Sequence, residues 1–256
     1  MDTAILLPHM DDEVFIIPYL VNLREQNSSD VSIYFLTKSE GRDNKFDQNV
    51  REQESIRAIA KILPDAAVHF LGRKFDVKDL DLHKNLLVHF EHLKALLAND
   101  FQTIVSPHFE GGHIDHDSAC ILAFELAKAL GCHHLTFNIY SARAKSGPFY
   151  KVAKPTVGLS LRVRVPIGAA VYAHTLLIPA RYRSQLLTWL GLYLPLVWRT
   201  LVMRKFSLNS DFAFNPNEMP NFGKVLYENR GDGSYLYWNT FVNDFLIAIN
   251  LGRSDG

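Results

Sequence analysis

A continuous apolar run, Ala4-Ile5-Leu6-Leu7, leads without a break into Pro8-His9-Met10-Asp11-Asp12-Glu13. A run this short, followed at once by proline and charge, reads as a strand buried on both faces that ends in a polar loop. A second junction of the same kind places Gly111-Gly112-His113-Ile114-Asp115-His116 beyond a short apolar run at 103–106. Two strand ends that each carry histidine and carboxylate point to a fold that gathers strand ends. An open parallel sheet does this at its topological switch point.

The first 140 residues alternate strand-like and helix-like segments. Strands are predicted at 4–7, 31–36, 68–71, 103–106 and 135–140. Helices are predicted at 18–25, where Pro18 suits a first turn, at 49–63, stopped by Pro64, and at 113–130, stopped by Gly131. Another carries Leu86, Leu87, Phe90, Leu93 and Leu97 on one apolar face. Residues 9–13 fall in the loop after the first strand. The expected architecture is α/β and Rossmann-like, a mostly parallel sheet flanked by helices, with a mixed α+β C-terminal extension. Residues 1–150 form the catalytic core with both motifs, and 151–256 an extension packed on the same domain that shapes the substrate site. Within it, 159–165 and 170–177 read as extended and 180–205 as an apolar helical stretch bent or split at Pro195. Residues 224–238 read as a hairpin across Arg230-Gly231-Asp232-Gly233, and 240–251 as a closing helix.

Lys and Arg balance Asp and Glu at 27 each, so nucleic acid is not an expected partner. A hydrophobic content of 48% suits a globular core. Cys120 and Cys132 stand about 18 Å apart if they share a helix, too far for a disulfide, which suits a reducing compartment. The N-terminus has no basic region with a cleavage site, and no window holds about 18 uninterrupted apolar residues. A cytoplasmic protein is expected. Residues 186–203 come nearest to a membrane segment, with Trp189, Tyr193 and Trp198 among them and Arg181, Arg183, Arg199, Arg204 and Lys205 around them. The stretch reads as a core helix. Its other reading is an aromatic and basic surface that rests on a membrane or grips a lipid-linked substrate, which would make the protein membrane-peripheral. Oligomeric state is not legible.

His9 and Asp12, three residues apart in a tight loop, can converge on one ion. Asp11 leaves the backbone in another direction, placed to take a proton from water that a bound divalent cation has acidified to a pKa of about 7. Glu13 suits loop amides or a helix end. His113 and His116 share one face of a helix start. If both bind metal, His9, Asp12, His113 and His116 make a closed structural site; if one does, the other can stabilise a developing oxyanion. Asp115 and Asp117 are candidates to orient these rings, and Gly111-Gly112 to let a substrate approach the backbone. Taken alone, the first motif is equally a solvated acidic turn and the second an N-capping cluster. His108 reads as a loop residue, His83, His89 and His92 as helix surface, and His133-His134 as the end of a helix.

Together the two motifs resemble the signatures of the zinc-dependent de-N-acetylases, the PIG-L/LmbE-like proteins, usually written (A/P)HPDDE and HPDH. Glu40-Gly41 is similar to that family's polar loop, and Arg51-x-x-Glu54 with Ala58 and Leu63 to its R-x-x-E…A…L helix. Tyr182-x-Ser184-Gln185 resembles a looser signature. The resemblance is close over 4–140 and slight from about 150. It implies Zn2+, or another divalent transition metal, on His9, Asp12 and His116. It implies Asp11 as general base and His113 as the group that stabilises the oxyanion or protonates the leaving amine, with Asp115 as its orienting partner. Arg51, Glu40 and Gly112 become substrate-binding residues. Met10 replaces the usual proline, and Gly111-Gly112 stand where some members carry a tyrosine.

The implied activity is metal-dependent hydrolysis of the N-acetyl amide of an amino sugar, releasing acetate. The substrate would be a small-molecule or lipid-linked GlcNAc-type moiety of a glycolipid, thiol-sugar or polysaccharide precursor. The alternatives are an amidase of the same chemistry on a thiol-conjugate or other non-sugar amide, and a non-catalytic metal- or glycan-binding protein with a filled coordination shell. A magnesium phosphatase fits less well, because imidazole favours zinc over oxygen-rich sites.

Overall fold

The structure is a computed structural model that describes the chain except residues 1, 28–29, 42–46, 99–100, 147–148, 153–160, 190, 203–204, 211, 216–217, 221–224 and 255–256. β1 (Thr3–Leu7) passes through a tight loop and a 3-10 turn (Asp12–Ile16) into α1 (Ile17–Glu25). β2 (Val31–Phe35) is followed by α2 (Gln48–Ile62), and β3 (Ala67–Phe70) by a helical turn (Leu71–Lys74) and α3 (Leu86–Leu97). β4 (Thr103–Pro107) feeds α4 (Ile114–Leu130), and β5 (His133–Phe137) closes the series. The five strands run parallel in the order β3-β2-β1-β4-β5, with Thr3 opposite both Val31 and Thr103. The order reverses between β1 and β4. Both motifs leave the carboxyl ends of these two strands, so the switch point brings them together.

Period-two alternation along the strands feeds two cores. Ile5, Leu7, Ile33 and Phe35 face α1 and α2, whereas Ala4, Leu6 and Tyr34 face the layer of α3 and α4. Every residue of β1 and β4 is buried, as a central parallel strand covered on both faces requires.

Beyond β5 the chain forms a two-stranded antiparallel ribbon, β6 (Tyr140–Ser146) and β7 (Phe149–Val152). β8 (Leu161–Pro166), α5 (Ala169–Leu176), α6 (Tyr193–Val202), β9 (Lys205–Asn209) and α7 (Tyr235–Ser254) follow, with shorter helical turns between them. β9 and β8 extend the sheet past β5 in antiparallel sense to make seven strands. The architecture is thus α/β, a mostly parallel sheet flanked by helices.

Several local expectations need correction. The loop after β1 is shorter than 9–13, because Asp12 and Glu13 already belong to the 3-10 turn. β5 ends at Phe137, and Tyr140 opens β6. Residues 170–177 are not extended: α5 occupies them, with Val171 and Thr175 buried one turn apart. A short apolar run carries no periodicity that separates strand from helix. The stretch 180–205 is not one helix. It breaks into Ile178–Arg181, Arg183–Gln185 and Leu186–Trp189 before α6, and Lys205 begins β9. Pro195 bends nothing; it sits in the first turn of α6, where its missing N–H is not needed. Only part of 186–203 is core, since Trp189 and Leu196 are buried but Leu194 and Trp198 are exposed.

The expected hairpin at 224–238 is a helical turn, Leu226–Arg230, ended by Gly231 at φ +69°, and the closing helix begins at Tyr235. Leu87 lies off the buried face of α3. His83 and His89 are buried rather than on the surface, and His133-His134 begin β5 rather than end a helix. Cys120 and Cys132 are free thiols. No helix among the described residues is long and apolar enough to cross a membrane.

Candidate active site

The first motif is held open by an unusual backbone. Asp11 adopts φ +108° and ψ −15°, a left-handed conformation that costs a residue with a side chain about 1–3 kcal/mol. Its neighbours over-determine it. The Asp11 amide donates to Glu13 Oε2 at 2.8 Å, and its carbonyl accepts from the Val14 amide at 3.1 Å. Arg51 of α2 donates to the carbonyl oxygens of Met10 and Ser39 and reaches Asp11 Oδ1 at 3.3 Å. Charge-assisted bonds of this kind contribute about 1.5–3 kcal/mol each, enough to offset the strain.

The turn sends Asp11 and Asp12 into different surroundings. Asp12 Oδ2 lies 3.2 Å from His9 Nδ1 and accepts from the His9 amide at 2.9 Å, while Oδ1 lies 3.2 Å from His116 Nε2. Asp12 therefore bridges the two motifs. The other edge of His9 meets Asp115, with Nε2 to Oδ2 at 3.0 Å. Asp115 is fixed in turn by the amides of Leu80 at 2.6 Å and Leu82 at 3.2 Å. Its carboxylate lies 3.9 Å from His113 Nδ1, so its close partner is His9 rather than His113. Nitrogens of His9, His113 and His116 lie within 4.8 Å of one another, and their ring centroids are 4.6–5.3 Å apart.

Burial sets the charges. It pushes the Asp11 carboxyl up to about 8, against the pull of Arg51 and with the push of Asp12 and Glu13. Asp12 is just as buried, yet His116 and His9 overcome that cost and hold it well below the carboxylate range. Burial would also raise Asp115, but the hydrogen bond to His9 and the nearby His113 bring it down to about 2. His9, flanked by two carboxylates, is held well above the ordinary imidazole value although burial alone would lower it. His113 goes the other way, depressed by burial and by the positive His9. His113 caps α4, its Nδ1 accepting from the Asp115 amide at 3.2 Å.

The remaining candidates make contacts within the protein. Arg51 is buried and its guanidinium clamps the loop carbonyls. Glu40 pairs with Lys38 at 3.4 Å. Gly112 meets protein instead of open space, for a Cβ built there would stand 1.9 Å from the Tyr140 carbonyl oxygen. Asp117 orients no ring; it accepts from the amides of Glu110 at 3.0 Å and Gly111 at 3.1 Å and so shapes the glycine loop. Met10 is buried in the hydrophobic core.

Five further residues, outside the two motifs, contact the site's framework: Tyr182, Ser184 and Gln185 of the looser signature, and Tyr140 and Arg230, which were not singled out as site residues from the sequence. Tyr182 donates to Glu13 Oε1 at 2.7 Å, Ser184 donates to Glu54 from both its amide (3.0 Å) and its hydroxyl (2.6 Å), and Gln185 donates to the Met10 carbonyl at 3.3 Å. The segment Tyr182-x-Ser184-Gln185 thus latches the first motif and α2 from behind. At the second motif the Tyr140 ring lies 5.5 Å from that of His116, and the Arg230 guanidinium sits over the same Tyr140 ring at 5.7 Å. Tyr140 follows the end of β5, so the rule that located both motifs also points to it. No local signal marks Arg230. A cavity of about 860 Å³ lies at the amino ends of the strands, lined by Thr3, Thr103 and His133, and touches none of these residues.

The PIG-L family, described as GlcNAc-PI de-N-acetylase, matches residues 4–137. Among solved structures the chain is similar to the A40926 pseudoaglycone deacetylase Dbv21, with 16% identity, 84% of this chain and 99% of that one covered, and a TM-score of 0.60. It is similar to the zinc-inhibited form of the teicoplanin deacetylase Orf2, with 14% identity, coverage of 83% and 100%, and a TM-score of 0.59. It is also similar to the N,N'-diacetylchitobiose deacetylase from Pyrococcus horikoshii, with 15% identity, coverage of 81% and 82%, and a TM-score of 0.56. At these identities the likeness is one of fold. No curated protein sequence matches the chain.

Proposed function

We propose that this chain, which belongs to the PIG-L family, is a metal-dependent hydrolase that removes the acetyl group from a GlcNAc-type amino sugar. One observation carries the reading. Asp12 bridges His9 and His116, while Asp11, the next residue, is turned out of that cluster on a left-handed backbone. A hydrolytic centre needs one carboxylate that binds and another that moves a proton, and this turn separates them.

The donor set of buried imidazoles and a carboxylate fits zinc or a similar divalent transition metal. His9, Asp12 and His116 would hold it, and a metal there supplies Lewis acidity toward water and the acetyl carbonyl. The competing set replaces Asp12 with His113. The Asp115 amide favours the first set. By donating to His113 Nδ1 it leaves that ring's proton on Nε2, which makes the ring a hydrogen-bond donor and not a ligand.

Asp11 then accepts the proton of the attacking water at Oδ, in an orientation fixed by Arg51. The water oxygen adds to the acetyl carbon. His113 Nε2–H supports the oxyanion, and Asp11 passes the proton it took from water to the leaving nitrogen as the C–N bond breaks, giving acetate and a free amine. The test is acetate release from a panel of N-acetylglucosamine derivatives by metal-loaded and chelated protein. The expected result is release that chelation abolishes and zinc restores. No release from any derivative by protein that holds one zinc through four protein ligands would overturn the reading in favour of a binding protein.

A further inference from the structure

α6 is apolar on two faces. Leu196 and Thr200 point inward, one turn apart, and are buried. Leu194, Trp198, Leu201 and Val202 fall at i, i+4, i+7 and i+8 on the outer face, 61%, 69%, 57% and 59% exposed. The Tyr193 hydroxyl donates to the Leu176 carbonyl at 3.1 Å, which joins this stripe to Leu176 and Leu177 at the end of α5, both exposed as well. Scattered exposed apolar residues need no explanation, but a continuous face with a tryptophan at its centre does.

The charge of the segment that carries it is one-sided. Between Glu125 and Asp211 the chain has twelve Lys and Arg and not one Asp or Glu, although the whole protein is neutral. Arg164 and Arg183 are exposed, and Arg181 and Arg199 are half-buried beside the apolar face. Exposed apolar side chains on a segment that carries arginines and no acid of its own match the headgroup region of an anionic bilayer. A protein partner of mixed charge would find no carboxylate within α5 or α6 to pair with.

We propose that the face formed by α6 and the end of α5 docks on the surface of an anionic phospholipid membrane, with Trp198 as its inserted anchor. The docking layer is tied to the first motif through Tyr182, Ser184 and Gln185. A lipid-linked amino sugar is then the natural substrate, a consequence that rests on the proposed hydrolase activity, whereas docking does not.

The test uses the full chain and vesicles of phosphatidylcholine alone, or mixed with phosphatidylglycerol at roughly two to one. Trp198 is exposed whereas Trp189 and Trp238 are buried, so its emission reports insertion. The expected result is a blue shift and co-sedimentation with the mixed vesicles, on the order of 10²-fold tighter than with phosphatidylcholine and lost at about 1 M salt. Trp198→Phe should bind without the shift, and Trp198→Glu with Leu201→Glu should not bind while keeping parental far-UV dichroism. Binding to neither vesicle, or undiminished binding by the double variant, would overturn the proposal. So would a dimer in sedimentation equilibrium that the double variant dissolves, since the face would then belong to a second copy. None of these readouts depends on acetate release.

Discussion

Asp11 and Asp12 are the same residue type, adjacent and both buried, yet their surroundings drive them to opposite ends of the carboxyl range. The difference is geometric in origin, since the left-handed turn gives Asp12 two imidazoles and Asp11 one guanidinium. Arg51 is therefore predicted to act through position. Arg51→Lys keeps the charge but loses the planar fork that reaches Met10, Ser39 and Asp11 together. The expected outcome is a kcat at least about tenfold lower with KM little changed, checked by steady-state kinetics. His113 separates the two ligand sets. His113→Gln should lower kcat by about 10²–10³ while the protein keeps its zinc, measured by metal analysis beside kinetics. Loss of the metal would make His113 a ligand instead.

At the scale of elements, the two strand ends were legible because the signal is local: an apolar run, a break, then histidine and carboxylate. Topology did the rest, bringing His9 to His116 across the switch point. The contacts that tune the site were not legible. Asp115 meets His9 and the amides of Leu80 and Leu82, pairings across 33 to 106 residues that no periodicity announces. The sequence pattern also misread α5 and the turn at Gly231, where apolar runs are too short to show a period. Gly112 looked like room for a substrate but is filled by the backbone of Tyr140, which arrives from another element. Gly112→Ala is thus predicted to displace β6 from the second motif and lower the thermal midpoint by several degrees, read by calorimetry. Tyr182→Phe removes the hydroxyl that satisfies buried Glu13 and should cost about 1–3 kcal/mol in urea unfolding.

Across the whole molecule, acid should unfold the protein through two histidines, His108 and His134, outside the candidate site. Burial lowers His108 to about 4 and His134, with a further push from His108, to about 3. Both stay neutral in the folded state, while the unfolded chain takes up protons below about 6.5. Their contribution to stability is thus complete above about 6.5 and is lost as pH falls toward 4 and 3. Urea unfolding at pH 7.5 and 5 should show this loss, and His108→Asn should reduce it; an unchanged difference would assign the loss to other groups.

The proposed hydrolysis divides metal binding and proton transfer between adjacent aspartates at the junction of two distant motifs. It is tested most directly by measuring zinc per chain and acetate release on the same preparations of parent, Asp11→Asn and Asp12→Ala. Asp11→Asn is expected to retain its zinc and lose at least about 10²-fold in release. Asp12→Ala is expected to lose both. Parental release from Asp11→Asn, or full zinc and activity in Asp12→Ala, would contradict this division.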